Sequence, residues 1–380
     1  MSLLLLARRR GGASGGGGGG GWSFPNAGGG VLGPGANAPA WSGKTIYSEE
    51  TFATPLTTSE RNGGFRFYSG FQTSPPSGSQ RVLYPTVVTP IGTKPCIQLN
   101  SYGQTEFLSG VSQMTTPWEF SSGFNDVYRA AVFTKGTWSG ILIFESSSDG
   151  GVSWAPIPLG ASPTSGGTHV TGTSTTVNGV WNTPGDSGAG LLLRVRASSW
   201  TSGTAEVRVG QIGGYATADF LAGRFIGGPS RIYNRVLHRV SSNWTDGENT
   251  GTKGPFWSQI SDAVPAQRTN HFMYMRMNGF GLQGNVFAGY DSLIPPPADG
   301  TWLDCEQIIA AGTPGNSDGT VEMWINGVKH ISEMAVPIIP STKAAELTSI
   351  YHNPAYGGGG RPVPQHQWHE FSNFYRESAP

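Results

Sequence analysis

No stretch of this chain repeats apolar residues at helical spacing for long enough to build a long helix. Short runs rich in β-branched and aromatic residues, such as "RVLYPTVV", "WSGILIFESS" and "TVEMWINGV", are instead cut by glycine, proline and serine. Alternation within such a run sends successive side chains to opposite faces of a strand. In "TVEMWINGV", Val321, Met323 and Ile325 fall on one face and Glu322, Trp324 and Asn326 on the other. Asn326-Gly327 is the pair favoured in two-residue hairpin turns, because both residues tolerate positive φ. With 58 glycines and 27 prolines in 380 residues, turns are frequent. A spacing of about 10–20 residues between runs suits β-sandwiches of roughly 100 residues. The expected fold class is all-β: two β-sandwich or jelly-roll domains behind a flexible glycine-rich N-terminal arm.

Composition then removes several functions. Charged residues make up 13% of the chain and balance to a net charge of zero. That leaves no electrostatic footprint for nucleic acid or an anionic membrane. No run of about 18 apolar residues is present, so membrane insertion is not expected. The opening "MSLLLLARRR" has too short an apolar core for a signal peptide, and its arginines follow the leucines. It reads as a sticky end on a tether, since the "GGASGGGGGGGW" tract behind it gains too little on ordering. That arrangement suits docking into a larger assembly. The tract is not a phosphate loop, because no strand precedes it and no Lys-Ser/Thr follows. Cys96 and Cys305 are too few for a disulfide scaffold and read as two buried thiols.

Three motifs imitate catalytic or metal sites. "SSSDGGVSW" has the Ser-x-Asp-x-Gly-x-Ser-Trp spacing of the Asp-box turn of sialidases. Ser147 and Asp149 cap backbone amides there, Gly151 supplies positive φ, and Trp154 packs beneath. One copy without an arginine triad reads as a structural hairpin. "GDSGAG" around Ser187 resembles a serine-protease nucleophile motif, but His169 lacks the setting of a general base. "HQWH" places His366 and His369 on opposite faces of a strand, a poor zinc site. No metal site and no cofactor are expected. Calcium on loop carboxylates such as Asp246, Glu248 and Asp318 has no loop motif behind it.

Aromatic density in the last 160 or so residues is the most suggestive chemical feature. Indole and phenol rings stack on the C–H face of sugars, with amide, guanidinium and imidazole groups serving the hydroxyls. The candidate carbohydrate-binding residues are Trp257, Tyr290, Trp302, Tyr356 and Trp368, with His271 and Arg276 as polar partners. Many such rings also fill cores. Trp257 and Tyr356 read as loop positions and are therefore the better candidates for exposed platforms.

Two segments carry family resemblances. "GTWSGILIFESSSDGGVSW" together with "VNGVWNTPGDSGAGLLLRVRASSWTSGTAEVRVG" resembles a β-sandwich module of tailed-bacteriophage structural proteins. The series "RIYNRVLHRVSSNWT", "WLDCEQIIAAGTPGNSDGTVEMWINGVKH" and "PAYGGGGRPVPQHQWHEFSNFYRES" is similar to the concanavalin-A-like jelly roll of lectins, laminin-G modules and some polysaccharide lyases. Its matching features are Trp302 with Glu306, Asp318-Gly319 with Trp324 and Gly327, and the closing Phe371 to Tyr375. "GFRFYSGF" and "CIQLNSYG" look like opening strands of the same jelly roll. The division expected is an arm over 1–43, opening strands over 44–111, an inserted phage-type module over 112–217, and the main jelly roll over 218–380.

The resemblance implies a virion component, on a capsid or tail surface, whose partners are other virion proteins, copies of itself and bacterial surface polysaccharide. Lyases of this fold use a Tyr/His pair with Arg or Gln neutralising the uronate carboxylate. "NHFMYMRM" supplies His271, Tyr274 and Arg276, yet His271 and Arg276 lie five positions apart and so face opposite sides. The Glu-x-Asp-x-x-Glu strand of retaining glycosidases of this fold is absent. The main expectation is accordingly non-catalytic glycan adhesion, not an enzyme, with no catalytic residues. A polysaccharide depolymerase and a purely architectural particle protein are the alternatives.

Overall fold

A glycine- and proline-punctuated chain of this kind can bury its apolar alternation only by pairing strands face to face, and the computed structural model does so throughout. It describes residues 27–28, 31–47, 66–67, 82–101, 103–119, 130–161, 171–183, 191–211, 220–224, 228–244, 252–260, 269–276, 279–284, 290–291, 300–339, 341, 347–352 and 362–380. Within 220–224, 252–260, 269–276, 279–284, 290–291 and 348–352 the description is of backbone alone. Among these residues every regular element is a strand and every strand pair is antiparallel. The glycine-rich tract, Ser187 and Tyr356 lie outside the described residues.

One eight-stranded sheet runs in the order Val328–Val336, Gly319–Ile325, Leu303–Ala310, Arg231–Val240, Gln367–Ala379, Ile97–Ser101, Val82–Leu83, with Thr45–Tyr47 beside Gln367–Ala379. It therefore joins strands from before residue 102 to strands from after residue 230. Residues 103–211 build a sheet of their own around the long pair Ala130–Ser147 and Leu192–Gln211. The module packs tightly on the neighbouring segment 363–365. A Cβ on Gly103 would meet the Val363 carbonyl oxygen at 1.6 Å, and Thr105 Oγ1 donates to the Pro364 carbonyl at 2.7 Å.

The inner face of the first sheet carries the alternating apolar residues. Ile232, Val236, Cys305, Ile309, Val321, Met323, Ile325 and Phe371 are buried together. Asn326 and Gly327 both adopt positive φ, 50° and 73°, and Ile325 pairs with Val328, as a two-residue turn requires. Cys96 and Cys305 are free and buried, and burial pushes both thiols well above the usual range. The same inner face also holds His238 and His369, whose ring nitrogens lie 3.0 Å apart. Burial lowers His369 to about 3.

Part of the outer face of this sheet is polar yet sealed. Arg235 and Asp304 form a two-pronged ion pair, both N–O distances 2.7 Å, with neither side chain exposed. In the next register row Tyr233 donates to Glu306 at 2.7 Å. Residues 31–47 lie across them as a strap. Arg235 donates to the Gly33 carbonyl, the Gly35 amide to Tyr233 Oη, and Asn37 through backbone and side chain to Glu306. Lys44 pairs with Glu377 at 2.7 Å. A Cβ on Gly35 would sit 2.2 Å from Glu306 Oε2, so only glycine lets the strap approach so closely.

Two outcomes follow. Asp304→Ala strands the Arg235 guanidinium in a dry layer and should cost about 3–5 kcal/mol in chemical denaturation. His369 has its folded pKa below the unfolded value, so its contribution is intact above about 6.5 and is lost as pH falls toward about 3. Wild type should therefore lose stability through this interval with a steeper slope than His369→Gln.

Candidate functional site

The aromatic candidates fall on two different sheets. Trp302 and Trp368 sit on the outer face of the eight-stranded sheet, where Arg239 lies between them. The Arg239 guanidinium is 4.7 Å from the Trp302 ring centroid and 5.3 Å from that of Trp368, and it also pairs with Glu370. Burial raises the Glu370 carboxyl, with Arg239 opposing. Trp302 donates to the Val88 carbonyl at 3.0 Å and packs on Leu32, Ile91 and Leu237. These contacts make Trp302 the pin that holds the hairpin Thr86–Thr89/Gly92–Pro95.

Trp257, His271, Arg276 and Tyr290 belong to the seven-stranded sheet, ordered Tyr290–Asp291, Gly279–Gly284, Thr269–Arg276, Thr252–Ile260, Leu347–His352, Phe220–Arg224, Arg66–Phe67. Trp257 is a strand residue, contrary to the loop reading. Gly254-Pro255 before it looks like turn punctuation, but the strand absorbs them as an irregularity between Lys253 and Trp257. Tyr356 lies outside the described residues.

Register divides this sheet cleanly, because residues opposite one another share a face. His271, Met273, Leu282 and Tyr290 share one face through the pairs Ser258↔His271, Met273↔Leu282 and Leu282↔Tyr290. The opposite face carries Lys253↔Tyr274↔Gly281↔Asp291 in one row. Tyr351↔Trp257↔Phe272↔Gln283 forms the next, and Ser349↔Gln259↔Asn270 the one after. Arg276 follows Tyr274 on the same face. The first set is largely apolar and the second is aromatic, amide and charged. His271 and Arg276 are thus on opposite faces, as are Trp257 and Tyr290.

Sequence reading missed Lys253, Gln283, Tyr351 and Asp291. Each is unremarkable in its own segment, and only cross-strand register gathers them around Tyr274. Among the described residues no group of three or more His, Cys, Asp or Glu side chains could hold a metal ion.

In the module, Ser147 Oγ donates to Asp149 and accepts the Gly151 amide at 2.8 Å. Asp149 accepts the Ser153 amide with both oxygens at 3.0 Å, and the Ser153 and Ser147 hydrogen bonds hold its carboxyl well below the usual range. Gly150 and Gly151 take positive φ. Trp154 donates to the Gly151 carbonyl and lies 3.9 Å from the Arg194 guanidinium, which pairs with Glu145. The polar side chains of Ser147, Asp149, Ser153 and Trp154 are spent on the turn itself.

No family model matches the chain, and no curated protein matches it. Among solved structures it is similar to the alginate lyase Aly36B, at 15% identity and a TM-score of 0.36 over 44% of this chain and 76% of that one. It is also similar to an endo-β-1,4-glucuronan lyase of Trichoderma reesei, at 10% identity and 0.34 over 43% and 74%. A third is the alginate lyase vAL-1 from Chlorella virus, at 12% and 0.34 over 70% and 99%. The structures named are polysaccharide lyases, against the expectation of a chain that is not an enzyme. The sequence argument against catalysis rested on His271 and Arg276 facing apart and on the absent Glu-x-Asp-x-x-Glu strand, and did not follow the face that carries Tyr274.

Removing the Trp302 pin should free its hairpin. Trp302→Ala is expected to speed amide exchange across residues 86–95 at least tenfold while the rest of the eight-stranded sheet keeps its protection.

Proposed function

We propose that this chain degrades an acidic polysaccharide by β-elimination on the face of the seven-stranded sheet that carries Tyr274. The observation behind the reading is one register row and its neighbours: Lys253, Tyr274 and Asp291 in line, Arg276 two residues along, Trp257 and Gln283 in the adjacent row. Opposite residues in such rows have Cβ atoms about 4.5–5.5 Å apart. That spacing is right for groups acting on one sugar.

The chemistry follows from the substrate. The proton α to a uronate carboxylate is too weakly acidic to leave while the carboxylate keeps its charge. Arg276 and Gln283 are the groups to hold that carboxylate and spread the charge of the enolate. Tyr274 is the group to take the proton and to return one to the leaving glycosidic oxygen. A neighbouring ammonium from Lys253 favours its phenolate. Trp257 and Tyr351 supply stacking faces for the flanking sugars. Bacterial surface polysaccharide rich in uronic acid is the proposed substrate, met by several copies of the chain in a particle-borne setting.

The reading is tested by incubating the full chain with polyuronates and following both polymer size and the ultraviolet absorbance of the unsaturated product. Shortening with new absorbance is expected, and Tyr274→Phe should lower the rate by about 10²–10⁴-fold while polymer binding persists. His271→Ala, on the opposite face, should change the rate far less than Tyr274→Phe. Intact polymer across a panel of uronate-containing polysaccharides would sink the proposal.

A further inference from the structure

The module holds an aromatic pair that the seven-stranded sheet does not explain. Over most of their length the strands Ala130–Ser147 and Leu192–Gln211 are flanked by others. The flanking pairs stop at Thr134↔Gly179 and Ala205↔Leu108 on one side and resume at Leu142↔Thr175 on the other. Between those points, residues 135–141 and 199–204 form a ribbon with no third strand beside it among the described residues. The register shifts between Ser139 and Gly140 and between Ile141 and Leu142 fall here.

A bare two-stranded ribbon is marginal in water, and nine of the thirteen residues of this one are Gly, Ser or Thr. Its two large rings, Trp138 and Trp200, lie each across from a glycine, Gly203 and Gly140. Their centroids are 5.9 Å apart and their planes 12° from parallel. Trp138 Nε1 donates to Asn178 Oδ1 at 2.7 Å, and the Asn178 amide donates to the Gly136 carbonyl at 2.8 Å, which fixes the ring. A Cβ on Gly140 would lie 3.2 Å from Trp200 Cε3, so the glycine leaves room for that indole against the backbone. The pair packs on the edge of the module core, which accounts for one side of it. Both residues nevertheless stay half-buried, and Thr137, Ser139, Ser199, Thr201, Ser202 and Thr204 around them are exposed.

We propose that Trp138 and Trp200 form a stacking platform for a neutral polysaccharide. The indole faces turned neither to each other nor to the core match the C–H faces of pyranose rings, and the surrounding hydroxyls match their hydroxyl groups. Neutrality of the ligand follows from the ribbon's own charge: Lys135 is the one ionisable residue in 135–141 and 199–204. This site stands independently of the elimination chemistry, which needs an acidic polymer and the other sheet. Together the two would engage one composite surface with the gain of a tethered second contact.

The test is oxidative footprinting of the full wild-type chain with and without a soluble neutral glucan, read peptide by peptide, alongside affinity electrophoresis in gels containing the same glucan. The expected result is retardation by the glucan, with oxidation of the Trp138 and Trp200 peptides falling about fivefold while Trp257 is unchanged. Trp200→Ala should weaken retardation about fivefold, and Tyr274→Phe should leave it intact. The footprint needs no variant, so a Trp200→Ala chain that fails to fold does not remove the test. Absence of retardation, protection at Trp257 in place of the pair, or protection that appears with protein concentration alone, as a protein contact would give, overturns the proposal.

Discussion

A dry ionic layer between a sheet and a strap is the constraint on which the arrangement of this protein depends. Arg235 and Asp304 are both fully buried, and so is Glu306. Groups of this kind are tolerable only when every charge has partners in good geometry. The partners come from far away in sequence: Gly33, Gly35 and Asn37 lie about two hundred residues or more before the side chains they satisfy. The eight-stranded sheet thus has no solvent face over this area. Its apolar side closes one core and its polar side is closed by the strap, where Gly35 leaves no room for a side chain.

That closure separates structure from chemistry. Over the strapped area both faces of the eight-stranded sheet are occupied by packing, so the polymer of the proposed reaction would be met elsewhere. The seven-stranded sheet has one face whose rows are amide, phenol, indole and charge, and its apolar set lies on the other face. Trp302 and Trp368, so similar in composition to a sugar platform, are instead committed to Arg239 and to the hairpin beside it. The same residue type does different work because the register row it occupies is different.

Local patterning was legible where the local rule was sufficient. The two-residue turn at Asn326-Gly327, the alternation of Val321, Met323 and Ile325 into the core, and the self-contained Ser147–Trp154 turn all depend on residues a few positions apart. The candidate site was only half legible. Tyr274 and Arg276 could be read on one strand face from their spacing of two, and His271 on the other. Lys253, Gln283 and Tyr351 could not be added, because a cross-strand neighbour is set by register and no rule of sequence spacing supplies register between strands this far apart. Trp257 was misplaced for a related reason: Gly254-Pro255 signals a turn in isolation, whereas Trp257 itself is paired with a strand on each side.

By itself, then, the amino-acid sequence determined an all-β chain, the positions of many turns, and the two-faced character of single strands, since these follow from φ preferences and a period of two. Tertiary structure decided which faces became core, which polar residues were sealed under the strap, and which side chains share a row, because burial and register are properties of pairs of segments. The chemistry proposed for Tyr274 belongs to that second group: its partners exist only once the strands are laid side by side.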